Sequence, residues 1–510
     1  MILFKKGLAF LKNAAGIQNE PTSRYAMTQT QRKKRLAIFL GLMLIGTIFL
    51  FATGVYHTCK PLPAGLSFAG PIRPVHEIAF YRDLTWVDAE GTRHTQQEIF
   101  DKTLAMINTA RHLIVLDMFL FNDFIGRELA PYRKLAQEVT EALVARKMKY
   151  PDMQIVVITD PINTVYNGMA NPYFDKLEAE NIAVVLTELD PLRDSNFAYS
   201  AFWRIFVKPF GNSSGSLLPN PFGKGRVSLR SYLAMFNFKA NHRKVIVCDD
   251  TDGYSALITS ANPHDGSSAH GNAAIYFKGQ AVLDLMQTEE AILHFSGGPS
   301  LPPISDARLS QDEDTETTVQ IISESKIKDT LINAINLAGK GDNLAIIVFY
   351  LSDRNVIEAL EMAFSRGAAV KVLLDPNKDA FGLEKNGIPN RQAAAELFAR
   401  GIPVRWGNTH GEQLHSKMLL AEYKNGRSIL ILGSANFTRR NLEDLNLETN
   451  IAVEGPKAER LFRDVNTYID LLWNNPDGRI FSVDYMEYAD NSFFRRLQYR
   501  WMEASGMSTF

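Results

Sequence analysis

The sequence predicts an α/β fold written twice, two pseudo-twofold halves behind a single membrane-spanning helix. Three observations carry this. A run near the N-terminus, Leu36–Thr58, lacks every charged residue. Two later stretches repeat the same succession of helix-like and strand-like segments. A pair of short polar motifs, His-x-Lys and Ser-x-Asn, recurs at matched places in both stretches.

The run LAIFLGLMLIGTIFLFATGVYHT has 23 residues, enough to cross a hydrocarbon core of about 30 Å as a helix. Arg32, Lys33, Lys34 and Arg35 stand directly before it. Positive residues stay on the cytoplasmic side, so the N-terminus is expected in the cytoplasm. Everything after Cys59 is then expected on the far side of the membrane. A cleaved signal peptide would have a shorter charged region and a small-residue cleavage site. The net charge of −1 hides an asymmetry: residues 1–35 carry eight Lys/Arg and one acid, while the remainder carries 47 Lys/Arg and 55 Asp/Glu. Residues 2–17 alternate apolar and Lys positions, as either a surface-lying helix or a tail would.

Beyond the span the repeat begins. Residues 95–112 show helical spacing of Ile99, Leu104, Met106 and Ile107 and lead into the apolar run 113–123. Residues 324–340 lead likewise into 344–353, and both helices contain Ile-Asn-x-Ala. The strands 154–163 and 370–378 both carry Asp-Pro, and 182–187 matches 402–406. Apolar strands alternating with helices indicate largely parallel, buried sheets. The expected organisation is a basic arm (1–35), the anchor (36–58), a first half (75–298), an acidic Pro- and Ser-rich linker (299–318), a second half (319–475) and an aromatic, basic tail (476–510). The first half is longer by about forty residues near 193–238, which are rich in Phe, Tyr, Gly and Pro. This insertion reads as a packed surface excursion or as a membrane-facing rim. The tail segment 492–506 reads as a helix on the core or on a membrane surface.

The chemistry lies at the matched positions. His242, Lys244 and Asp249 are followed by Ser260 and Asn262; His415, Lys417 and Glu422 are followed by Ser434 and Asn436. The offset is 173 for His and Lys and 174 for Ser and Asn. At that offset Asn272 aligns with Asn446, and Glu448 with Ala274. In a strand, side chains at i and i+2 share a face, so each motif directs an imidazole and an ammonium into one pocket. Lys is a point charge for a phosphate oxygen, and Ser and Asn can hydrogen-bond the same group. Two such sets form a cationic cradle with two histidines. One can attack phosphorus and the other can protonate the leaving oxygen.

His-x-Lys-x4-Asp followed by Gly-Ser-x-Asn, present twice, resembles the phospholipase D superfamily, over about residues 75–475. Among its branches the sequence is similar to bacterial membrane-anchored phospholipase D-like proteins and cardiolipin synthases, which implies a bacterial inner membrane with the catalytic body periplasmic or extracellular. The resemblance implies a duplicated fold with one active site shared by the halves, a covalent phosphohistidine and no metal or other cofactor. It implies a phospholipid substrate at a membrane, with water or an alcohol as acceptor. His242 becomes the nucleophile and His415 the general acid, with Lys244, Asp249, Asn262, Lys417, Glu422, Asn436 and Glu448 in the catalytic set. Ser260 and Ser434 become substrate contacts. Glu448 fits the carboxylate that orients a catalytic His, which leaves the other His with no such partner at Ala274. Glu422 stands where the family has Asp, and Thr259 where it has Gly.

Two other readings use the same residues. A nuclease would apply this chemistry to nucleic acid, although an acidic body disfavours polyanion binding. A non-catalytic membrane interaction protein would keep the fold without the reaction. His264 and His270, in the loop 260–270, read as loop residues or as substrate contacts. The histidines lack metal-ligand spacing, and no phosphate-binding P-loop occurs.

Overall fold

The computed structural model describes residues 29–126, 132–215, 217–251, 253–303, 315–380, 383–508 and 510. The 2–17 segment, most of the basic arm and the centre of the linker lie outside these residues. The chain forms two compact units, Met1–Thr53 and Gly54–Phe510. In the first, an apolar helix that runs over Gln29–Cys59 begins. Among the described residues it is the one helix long and apolar enough to cross a membrane.

The second unit is built on two large sheets. In the first sheet the order is 93–97, 78–87, 272–278, 253–259, 244–250, 113–118, 154–159, 183–186. In the second it is 73–74, 318–323, 449–456, 427–433, 417–422, 343–348, 369–374, 404–407, 482–484. The middle of each repeats the other: a His-bearing strand lies antiparallel between a long hairpin partner and the first strand of a parallel trio. The expectation of largely parallel sheets is therefore corrected. Helical crossovers make 113–118, 154–159 and 183–186 parallel. Short links at 250–253 and 422–427 fold each His strand back on its neighbour, which forces antiparallel pairing.

The central strands read as continuous apolar runs because both faces are buried. Val245, Val247, Ile258 and Ile275 of one sheet share a core with Met418, Leu420, Leu430 and Leu432 of the other. The alternate residues Ile246, Cys248 and Leu257 pack outward on helices 99–109, 135–149 and 172–179. Leu419, Ala421 and Ile431 do the same on the second half's helices. The layers are thus helix, sheet, sheet, helix.

A buried ionic tie reinforces the joint. Arg243, between His242 and Lys244, is fully buried, with Nη1 3.0 Å from Glu289 and Nη2 2.7 Å from Glu324 of the second half. Glu324 also accepts from Ser67 N, in the segment that follows the anchor, at 2.7 Å.

Candidate active site

Each histidine stands just before its strand, where chain direction and a cross-half backbone bridge fix it. His242 N donates to Leu447 O at 2.9 Å, and His415 N donates to Gly271 O at 2.7 Å. Each half therefore holds the histidine of the other. The carboxylates of the two Asp-Pro pairs fix the residue ahead: Asp160 Oδ2 accepts from Asn241 N at 2.8 Å, and Asp375 Oδ2 from Leu414 N at 2.9 Å. Burial raises both carboxyls, Asp160 to about 7 and Asp375 to about 6.

The cations repeat the symmetry. Lys244 Nζ donates to His242 O at 2.7 Å, and Lys417 Nζ to His415 O at 2.6 Å. Lys244 lies 5.0 Å from the centre of the Phe119 ring and Lys417 lies 5.2 Å from that of Phe349. The same rings flank His242 and His415 at 4.8 and 5.1 Å. Both lysines are fully buried. Burial lowers Lys244 to about 7, and burial with the nearby Lys244 charge lowers Lys417 well below its ordinary value. Burial likewise lowers His242 to about 4 and His415 well below 6.5, the two lysines adding to it.

The symmetry breaks at the imidazole Nδ1 atoms. His242 Nδ1 is 2.9 Å from Glu448 Oε1. The carboxylate is itself held by Ser434 Oγ at 2.5 Å and by the Asn441 amide. Burial pushes Glu448 up, yet His242, Lys244 and the Ser434 hydroxyl bring it below the usual glutamate value. On the other side His415 Nδ1 is 3.1 Å from Asn272 Oδ1, which also accepts from Ser260 Oγ at 2.9 Å.

Asn272, not Ala274, is therefore the counterpart of Glu448, which corrects the alignment by constant offset. Ser260 N bonds Ala273 O as Ser434 N bonds Thr449 O. Asn272 comes ten residues after Asn262, whereas Glu448 comes twelve after Asn436. Two extra residues in the second loop shifted the register, and the expected lack of a partner for one histidine is filled by an amide. The serines, expected as substrate contacts, are turned toward the side chains that orient the histidines. Both are fully buried, and their hydroxyls lock Glu448 and Asn272 while accepting from Thr449 N and Ala273 N.

Asp249 and Glu422 are not brought to the histidines. Each lies five residues beyond its lysine on an extended strand, about 16 Å away at 3.3 Å per residue. Asp249 accepts from the backbone N–H groups of Arg111, His112 and Leu113, which fixes the entry to the next strand. Glu422 bonds Asn466 Nδ2 at 2.9 Å and Lys457 at 3.2 Å. Asn262 and Asn436 are at the site end. Asn262 Oδ1 accepts from Leu120 N at 3.1 Å, which fixes the orientation of its amide. Asn436 Oδ1 is buried with no hydrogen-bond partner.

Of the two loop histidines, His264 is turned to Ser267 Oγ at 3.0 Å. His270 lies beside the site, its ring 5.6 Å from His415 and its Nδ1 accepting from Gln413 N at 3.2 Å. Among the described residues no cluster of His, Cys, Asp and Glu could hold a metal ion.

Residues 331–473, the body of the second half, match the family model described as "Cardiolipin synthase, PLD-like domain". The second half is thus a phospholipase D-like domain by sequence. The fold of the chain is the duplicated phospholipase D-like fold. The crystal structure of phosphatidylserine synthase from Haemophilus influenzae Rd KW20 is similar over 85% of this chain and 97% of that one, with a TM-score of 0.54 at 10% identity. Polyphosphate kinase from Porphyromonas gingivalis aligns over 85% of this chain and 54% of its own, with a TM-score of 0.43 and 12% identity. Nuc, a phospholipase D family member from Salmonella typhimurium, aligns over 33% of this chain and 99% of its own, with a TM-score of 0.27 and 21% identity. Among curated proteins none matches this sequence.

Proposed function

We propose that this protein is a membrane-anchored phosphodiesterase or phosphatidyltransferase of the phospholipase D superfamily, acting on phospholipids through a phosphohistidine on His242. The observation that carries the reading is the pairing of the two histidines, one with a carboxylate and one with an amide, between two buried lysines.

The pairing supports a division of roles. When the neutral His242 Nε2 attacks phosphorus, an N–P bond forms and the ring becomes cationic. Glu448, accepting the Nδ1 proton's hydrogen bond, stabilises that charge. The P–O bond to the leaving alcohol breaks, and His415, which takes up a proton as the phosphodiester anion enters the site, gives that oxygen its proton. Asn272 orients His415 without a negative charge that would hold the proton back. In the second half-reaction neutral His415 takes a proton from water or from an alcohol. That oxygen attacks phosphorus, the N–P bond breaks and His242 is restored. Lys244, Lys417 and the Asn262 amide are placed to offset charge on the phosphoryl oxygens.

The anchor supports a lipid substrate. A site tethered to a bilayer meets headgroups at high effective concentration. The reading places the N-terminus in the cytoplasm and the catalytic unit across the inner membrane. The experiment is turnover of phosphatidylglycerol and phosphatidylethanolamine by the full chain in vesicles, with and without glycerol, beside a DNA-cleavage assay. The reading expects lipid turnover that is lost in His242→Ala. No lipid turnover with either acceptor would contradict it, and DNA cleavage alone would favour the nuclease reading.

A further inference from the structure

Helix Phe197–Phe206 in the insertion is inverted relative to an ordinary surface helix. It buries its small residues, Ser200 and Ala201. Phe202 and Phe206, one turn apart, are left 46% and 52% exposed, with rings 5.2 Å apart. Phe210, in the short turn that follows, is 72% exposed. A helix normally turns its apolar stripe to the core, so this face lacks the partner its chemistry calls for.

Charge indicates the partner. From Phe197 to Cys248 the chain contains no Asp or Glu, whereas residues 197–239 contain six Lys/Arg. This is a basic island in a body with more acids than bases. Arg204, Lys208 and Lys239 are paired with Asp190 and Asp194, just ahead of the segment, while Lys224 and Arg226 are exposed. Aromatic rings mixed with cations fit the interface of a bilayer containing anionic lipid.

Position supports the same partner. Gly54, in the last turns of the apolar helix, abuts Phe197 so closely that a Cβ would sit 2.7 Å from its ring. The strand exit is tied to the same place: Asp194 N donates to His57 O at 2.9 Å, and Arg193 Nε to Lys60 O at 2.9 Å. A second inverted helix, Phe493–Ser505, buries only Tyr499 and exposes Phe493, Phe494 and Trp501. It ends at Gly506, which is in the left-handed region (φ 69°) and against Ser195 O. The insertion itself runs directly into His242.

We infer that the Phe202–Phe206–Phe210 face is a second membrane contact, seated in the interface of a bilayer containing anionic phospholipid, and that it sets the mouth of the site against the headgroups. The inference rests on the reading of Leu36–Thr58 as a membrane span and extends it to the catalytic unit.

The test uses the full chain with Cys59→Ser, carrying an environment-sensitive label at one added cysteine: F206C, F210C, I45C or M148C. Met148 lies in the last turn of helix Leu135–Lys149, toward the ends of the strands away from the histidines. Vesicles are phosphatidylcholine with or without phosphatidylglycerol, and lipid-borne quenchers report depth. The expected result is a depth of about 5–10 Å for the labels at 206 and 210, greater with phosphatidylglycerol, with the label at 148 in water and that at 45 deep in the bilayer. Labels at 206 and 210 in water while that at 45 is deep would overturn the inference alone. A label at 45 in water would overturn the span reading on which it rests. Label-to-label quenching between copies, without lipid quenching, would assign the face to self-association and overturn the proposal.

Discussion

Glu448 of the second half holds the Nδ1 of His242 of the first half at 2.9 Å, and nothing in the first half duplicates that charge. The two halves are thus equal in backbone and unequal in chemistry. Glu448→Gln keeps the shape and removes the charge. The expected result is a fall in kcat of about 10²–10⁴-fold, the scale of general acid–base contributions. The carboxylate favours the protonated ring, so its loss moves the acid limb of the pH profile below His242's value of about 4. A pH–rate profile of the variant checks both.

Ligand binding is expected to take up protons. Burial holds Lys244 at about 7, so this lysine is partly uncharged when the site is empty near neutral pH, and burial lowers Lys417 from its ordinary value as well. A bound phosphate monoanion favours the charged forms and raises both values. Calorimetry of a non-hydrolysable phosphodiester in buffers of different ionisation enthalpy should show net proton uptake near pH 7–8. Affinity should weaken as pH rises through that range.

Asp249 carries stability rather than chemistry. Its carboxylate satisfies three consecutive backbone N–H groups. Asp249→Ala is expected to cost about 1.5–3 kcal/mol, the range for hydrogen bonds to a charged group. Denaturant unfolding should show this, with kcat per folded molecule little changed.

Arg243 is the costliest of these to cut. Arg243→Met leaves Glu289 and Glu324 buried without their cation. The expected loss is about 3–5 kcal/mol, read by the same unfolding assay. Arg243→Lys should recover part of it, because one ammonium cannot reproduce the two-way fork.

Much of this was legible in the sequence. Apolar runs buried on both faces, the doubled His-x-Lys and Ser-x-Asn motifs and the Asp-Pro pairs all sit at corresponding places in the two sheets. Three things were not legible. Asn272 was hidden because a two-residue difference in loop length breaks any constant offset between halves. The roles of Asp249 and Glu422 were misjudged because neighbours in a motif lie far apart along an extended strand. The two Asp-Pro carboxylates marked the repeat, but their grip on Asn241 and Leu414 depends on crossovers that only the folded chain reveals.

The central claim is that His242, paired with Glu448, bonds to phosphorus. Rapid quenching of the full chain with a phosphorus-labelled phospholipid, followed by peptide mapping, tests it most directly. The account predicts label on His242, none in His242→Ala, and a longer-lived adduct in His415→Ala when the leaving group needs no proton. Label on His415 instead, or sustained lipid turnover in His242→Ala, would contradict it.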